Sequence, residues 1–312
     1  MSFLTVTLNA SIDTAYALEE FSRGEVNRVR RKWIVPGGKG NNVARVLATL
    51  GHHVVATGFV AGQAGQYIEN ALRVEGVETG FVRVAGESRT SLAVIEQRSG
   101  TVSELLEPGV PVSPGDGQAL LDRIGERLPG VATAVISGSL PPGLPTDFYA
   151  LLIDAMRSFP VRVAFDSSGD AFRRGLAAHP DLVKPNAAEM TDLIGASQDV
   201  SGIIAFAQRE LIGPVLAPTA MVLLSLGADG AALISHDAVL VASAPATRAV
   251  STVGSGDALL AGFLGAQANG ADDGAALCAA VAAGTAATLH PTPGVVDPRD
   301  VARLLPLVRL TA

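Results

Sequence analysis

Two glycine-framed clusters far apart in the chain hold the residues best suited to chemistry. They are Pro36-Gly37-Gly38-Lys39-Gly40-Asn41-Asn42 and Val253-Gly254-Ser255-Gly256-Asp257. In the second, Gly254, Ser255 and Gly256 are small enough for backbone N–H groups to turn toward an anion. The apolar run 258–264 continues from them as a helix, and a helix N-terminus favours negative charge. Asp257 falls in the first turn, where the dipole favours an ionised carboxylate able to take a proton from an attacking hydroxyl. A base beside an anion hole is the layout that phosphoryl transfer requires. The first cluster leaves bare backbone that a sugar can approach, with Lys39 and Asn42 beside it. It is not a Walker A loop, because Trp33 stands where the first glycine belongs and Gly40 where Ser or Thr would bind magnesium. Nor is the second cluster a dinucleotide fingerprint, since Leu259 occupies the place of the third small residue.

The elements that must position these residues follow from periodicity. Strand-like and helical runs alternate through 3–8, 41–50, 53–60, 65–75, 131–136, 146–158, 161–165, 187–194, 201–211 and 220–226, which predicts βαβ units around a parallel sheet. Ligands in such sheets gather at the carboxyl ends of the strands. Two short strands, 230–234 and 239–241, and helices at about 256–268, 273–288 and 298–307 complete the chain. Residues 14–35 and about 81–106 break the βαβ rhythm with short alternating segments and are read as one small β-sheet. Both leave and rejoin the main domain beside a motif, so the sheet is expected to lie over the substrate as a lid. An edge extension or a dimer contact is the alternative. The stretch 108–115 reads as a connector, so residues 1–312 are expected to form a single domain.

With 312 residues, 48% hydrophobic and 17% charged, the chain can bury a large core. A formal net charge of −7 argues against general affinity for nucleic acid or anionic membrane. The mean hydropathy of +0.35 comes from Ala- and Gly-rich helices, and no apolar stretch reaches about 18 residues unbroken. The N-terminus alternates like a strand and carries no signal-peptide pattern, so a cytoplasmic location is expected. The single cysteine, Cys278, sits among apolar residues and reads as core packing, and the five histidines lack metal-ligand spacing.

In order, seven motifs resemble the PfkB family of carbohydrate kinases. They are 7–13, 37–45, 136–143, 166–169, 184–189, 225–230 and 253–257. The resemblance implies an α/β, ribokinase-like three-layer fold with a central, mostly parallel sheet and a small β-sheet lid. Within the family the chain looks most like the phosphosugar branch of 1-phosphofructokinase, tagatose-6-phosphate kinase and the minor 6-phosphofructokinase. It implies that Asp257 is the base and that Gly254, Ser255 and Gly256 line the anion hole. It further implies that Asp13, Gly38, Asn42 and Ser137 serve the sugar, with a turn cap as the plainer reading of Asp13. Lys39 and Arg89 are assigned to the phosphate already on the substrate, because a dianion needs cationic donors. A solvated surface role is the alternative for Arg89. Ser91 stands where the branch often has Asn.

Asn186 and Glu189 match the family's Asn-x-x-Glu element, whose implied role is to organise Mg²⁺ and phosphate through water, with a plain helix cap or surface pairing as the alternative. Lys184, Ser225, Gly227 and Gly230 resemble the nucleotide-binding elements for ATP. Residues 251–253 and 283–288 resemble a loop that binds a monovalent cation in some relatives. The expected reaction is ATP-dependent phosphorylation of the free primary hydroxyl of tagatose 6-phosphate, fructose 1-phosphate or fructose 6-phosphate. A kinase of an unphosphorylated sugar or nucleoside, or a non-catalytic sugar-phosphate sensor, are the rivals. A homodimer could form through the lid.

Overall fold

The two-residue period of the first strand, β1 (Ser2–Thr7), sends Leu4 and Val6 into one core and Phe3 into another. The computed structural model describes residues 2–311. From β1 the chain leaves as β2 (Ser11–Leu18) and β3 (Arg31–Gly37), then returns through α1 (Lys39–Thr49), β4 (His53–Ala61) and α2 (Gly62–Val74). The short β5 (Glu78–Thr79) and β6 (Val82–Val84) pair with β4, after which β7 (Arg89–Glu96) and β8 (Val102–Leu106) go out again. Then follow α3 (Pro114–Arg127), β9 (Val131–Ser137), α4 (Phe148–Met156), β10 (Arg162–Asp166), α5 (Gly169–Leu176) and β11 (Leu182–Val183). The last part comprises α6 (Ala187–Ile194), α7 (Val200–Phe206), β12 (Met221–Ser225), β13 (Ala231–Ile234), β14 (Val239–Ser243), α8 (Ser255–Ala268), α9 (Asp273–Ala287), α10 (Pro298–Leu304) and β15 (Arg309–Thr311).

Eleven strands form the main sheet, in the order β15-β14-β13-β12-β11-β10-β9-β1-β4-β5 with β6 also on β4. The pairings from β12 through β5 are parallel and β13 to β15 add an antiparallel edge. Alternation builds a core on each face: Ile136, Phe165 and Leu224 pack with residues of α3 to α7, whereas Val135, Ala164 and Leu223 pack with residues of α1, α8 and α9. This is the expected three-layer α/β arrangement. Ala and Gly let α8 and α9 approach closely, so that a methyl group at Gly262 would lie 2.9 Å from the carbonyl oxygen of Ala279.

A separate sheet of four strands runs β3-β2-β7-β8. It begins at Ser11, earlier than the alternation suggested. Residues 82–84 join β4 instead, because Val82 and Val84 find the main core. The polar segment 19–30 contributes no strand. Helix α3 was not apparent from the sequence, since Pro114, Gly115 and Gly117 crowd its first turn. Its signals were the capping box of Ser113 with Asp116 and the buried pair Leu120 and Ile124 one turn apart. The run 201–211 splits into α7 and a π-helical turn over 207–211.

Candidate active site

The carboxyl ends of β1, β9, β10, β11 and β12 bring Asn9, Gly138, Asp166, Lys184 and Ser225 to one crest, and the four-stranded sheet stands beside it. Between them lies a cavity of about 580 Å³, walled by Asp13 and Arg89 from the small sheet and by Gly38, Lys39 and Asn42 at the start of α1. Gly254, Ser255, Gly256 and Asp257 complete it. A second cavity of about 500 Å³ is lined by Gly230, Thr252, Leu259, Gly284, Thr285 and small residues of the segment after β14. Ser225, Gly227, Ser255 and Gly256 border both, so ligands in the two cavities would meet at the start of α8.

The start of α8 leaves most of its donors free, although the Ser255 N–H donates to the Thr252 carbonyl at 3.2 Å. Gly254 is the N-cap in the left-handed region at φ 78° and makes no side-chain cap bond, while the Ser255 hydroxyl donates backward to the Thr252 carbonyl. A methyl group at Gly254 would lie 2.4 Å from the Pro293 side chain. The N–H groups of Gly256 and Asp257, which have no carbonyl partner among the described residues, therefore face the junction of the cavities.

Asp257 was expected to be held ionised by the helix dipole. Burial outweighs that influence and pushes its carboxyl up to about 7. Lys39 pulls down, Asp166 pushes up, and the Asn42 Nδ2–H, donating to Oδ2 at 2.8 Å, pulls down again. The group is thus poised to exchange a proton near neutrality. Asn42 Oδ1 is buried with no partner among the described residues.

Asp166, which opens one of the seven motifs but was given no role from sequence, is the electrostatic centre of the crest. Its carboxylate is wholly buried and lies 3.3 Å from Lys39 Nζ and 3.4 Å from Lys184 Nζ. Burial would raise its pKa, but Lys184, then Lys39, and hydrogen bonds from Ser137 and Lys39 hold it below the usual carboxylate range. Lys39 is held well above the usual lysine range, first by Asp166. Ser137 does not line the cavity: its buried hydroxyl donates to Asp166 Oδ2 at 3.1 Å. The available signal for Asp166 was an acidic residue closing the apolar strand β10.

On the side of the small sheet, Asp13 stands over Gly37, where a methyl group would come within 2.3 Å of both carboxylate oxygens. Ser11 donates to Asp13 Oδ1 at 2.6 Å, yet burial dominates and raises this carboxyl. Arg89 opens β7, and its Nε and NH1 donate to the carbonyls of Asn9 and Glu107 at 3.2 and 3.0 Å. Those bonds orient the guanidinium and leave NH2 unspent. Asn9 and Ser139, joined at 3.1 Å, also border the cavity and were not foreseen.

Asn186 and Glu189 form a capping box on α6: Asn186 Oδ1 accepts from the Glu189 N–H and Glu189 Oε2 from the Asn186 N–H, both at 2.8 Å. No group of three or more His, Cys, Asp or Glu side chains gathers to hold a metal among the described residues. Glu189 Oε1 lies outside the capping bonds, which fits Mg²⁺, an ion that keeps several waters and takes few protein ligands when phosphates are present. Among the described residues no helix is long and apolar enough to cross a membrane.

A doubly covered, mostly parallel sheet whose ligand crest lies beside a small β-sheet and beneath a glycine-capped helix belongs to the ribokinase-like carbohydrate kinases. Residues 6–298 match the pfkB family carbohydrate kinase, and the chain belongs to that family. It is 32% identical over 262 residues to a tagatose-6-phosphate kinase of Staphylococcus epidermidis, covering 83% of each chain. Phosphofructokinase-2 from Escherichia coli, solved in complex with potassium, superposes with a TM-score of 0.88 at 28% identity over 98% of both chains. That enzyme has also been solved with fructose-6-phosphate and in a tetrameric inhibited form. A possible 1-phosphofructokinase from Thermotoga maritima superposes at 0.85 with 26% identity, over 100% of this chain and 99% of that one.

Proposed function

We propose that the protein is an ATP-dependent kinase that phosphorylates the free primary hydroxyl of a ketohexose monophosphate, giving a bisphosphate. The observation that carries this reading is the buried, proton-exchanging carboxyl of Asp257 at the open N-terminus of α8, where the two cavities meet. The sugar occupies the larger cavity, with hydroxyls on Asp13, Asn42 and the backbone at Gly38. ATP occupies the smaller one, against Ser225, Gly227 and Gly230. Asp257 takes the hydroxyl proton as the oxygen attacks the γ-phosphorus and ADP departs, and the free N–H groups at Gly254 and Gly256, in the turn that Ser255 lines, receive the developing charge.

Arg89, oriented by its two carbonyl acceptors, grips the phosphate already on the sugar. Lys39 was grouped with it on sequence grounds. Its place between Asp166 and Asp257, with Lys184 nearby, suits the group in transit better. Ser137 acts at one remove, through Asp166. Glu189 and Asn186 would hold Mg²⁺ through water, and the ion would neutralise charge on the nucleotide phosphates. A monovalent cation near 251–253 is a finer expectation, suggested by the potassium complex of the Escherichia coli relative. Homodimerisation through the four-stranded sheet, which would act as a lid, is another.

The test is initial-rate ADP release with ATP and Mg²⁺ against fructose 1-phosphate, fructose 6-phosphate, tagatose 6-phosphate, fructose and ribose. A strong kcat/KM preference for one phosphosugar supports the proposal. Preference for an unphosphorylated sugar moves the reading to a different kinase, and phosphosugar binding without turnover makes it a sensor.

A further inference from the structure

One carboxylate in the substrate cavity has no place in the scheme above. Glu104 lies on β8 and lines the cavity together with Asp13, Arg89, Ser91 and Leu106. The register explains how it gets there. Asp13 pairs with Ser91, which pairs with Leu106; one pleat along, Ala15 pairs with Ala93, which pairs with Glu104. Residues opposite one another share a face, and so do residues two apart on a strand, so Asp13, Ser91 and Glu104 all look into the cavity. Two strand spacings and one pleat put the Cα atoms of Asp13 and Glu104 about 12 Å apart. The intervening Ala15 and Ala93 carry only methyl groups and do not screen one acid from the other.

The neighbouring glutamates are differently placed. Glu96 accepts from the Phe21 N–H and the Thr101 hydroxyl, and Glu107 from the Thr90 N–H. Glu104 accepts no hydrogen bond among the described residues. Glu104 is exposed to solvent, yet desolvation and then the facing Asp13 raise its carboxyl, so a hydroxyl-bearing ligand that donates to it would relieve an unfavourable charge.

We propose that Glu104 accepts a hydrogen bond from a hydroxyl on the carbon chain of the sugar and, by its charge, excludes phosphate from that part of the lid, thereby setting which ketohexose monophosphate is taken and in which orientation. This rests on the phosphosugar reading. Arg89, at the β2-facing start of β7, remains the cation for the phosphate. Asp13 and Glu104 then bracket the neutral middle of the molecule, where epimeric ketohexoses differ.

The experiment compares wild-type enzyme, Glu104→Gln and Glu104→Ala in steady-state kinetics with tagatose 6-phosphate, fructose 6-phosphate and fructose 1-phosphate, alongside thermal melts and size-exclusion chromatography. Glu104→Ala is expected to raise KM for the preferred phosphosugar by about 10- to 100-fold, the worth of a hydrogen bond to a charged group. KM for ATP should stay within about twofold, and the kcat/KM ratios among the three sugars should move toward one another. Glu104→Gln, which keeps the acceptor but not the charge, should fall between. Unchanged KM and ratios, or an equal loss of kcat with every sugar, overturns the assignment. So does a shift in oligomeric state with unchanged ratios, which would mean that Glu104 meets a second copy of the chain. If the wild-type enzyme neither binds nor turns over any phosphosugar, the phosphosugar reading fails first and the role of Glu104 fails with it.

Discussion

At Asp257, the cost of burying a charge outweighs the pull of nearby lysines, and the net effect sets the pH at which the proposed base is available. With its carboxyl raised to about 7, the group is protonated below neutrality and cannot accept the substrate proton. The kcat/KM profile for the phosphosugar should therefore rise from acid pH with a midpoint near 7, and Asp257→Asn should abolish turnover while sugar binding survives. Linkage runs the opposite way for stability. A folded-state pKa above the unfolded value favours folding at low pH, an advantage lost as pH rises from about 4 through about 7. The melting temperature of Asp257→Asn relative to wild type should thus increase over that interval. A flat activity profile between pH 5 and 8 would remove Asp257 from the role of base. Asp166 shows the converse case: equally buried, it stays ionised because two lysines face it.

Helix α1 joins the small sheet to the start of α8 through Arg45, which is 2% exposed. Its Nε and NH2 donate to Glu75 at the end of α2, and its NH1 reaches the Pro293 carbonyl at 2.8 Å and the Pro36 carbonyl at 3.4 Å. Pro36 belongs to β3, while Pro293 backs Gly254. One guanidinium thus ties the small sheet, α2 and the segment beneath the α8 N-terminus. Arg45→Ala leaves carbonyls unpaired and should destabilise the protein by about 2–4 kcal/mol, read by chemical denaturation. Because the support of Gly254 loosens, kcat should fall more than KM rises. Arg45→Lys keeps the charge but not the fork, and should recover only part of the loss. A stable Arg45→Ala variant with wild-type kcat would show that the tie is dispensable.

At the scale of the whole molecule, the outer face of the small sheet carries exposed apolar side chains. On the face away from Asp13, Ile34 pairs with Thr14 and Leu92 with Leu105, and Ile34 and Leu105 are 42% and 58% exposed. An apolar row that ends on the edge strands β3 and β8 invites a second copy. Ile34→Glu with Leu105→Glu should shift the protein toward monomer in analytical ultracentrifugation and, by loosening the lid, raise KM for the sugar while leaving KM for ATP nearly unchanged. Wild-type protein that sediments as a monomer at assay concentrations would remove this proposal.

Much of the fold was legible because strand and helix periods, glycine spacing and small-residue helices are local properties. The parallel sheet, the second sheet, the open start of α8 and the position of Asp257 at its first turn all follow from spacing along the chain. Helix α3 was obscured by helix-breaking residues in its first turn, and 82–84 went to the main sheet because a larger core was available there. Most residues that line the two cavities stand in motifs visible along the chain, but their charge states are not visible there. Whether Asp257 is protonated, whether Ser137 faces the sugar or Asp166, and whether Glu104 looks inward all depend on segments hundreds of residues or several strands away. Desolvation and Coulomb interaction act through space, so tertiary packing alone decided them.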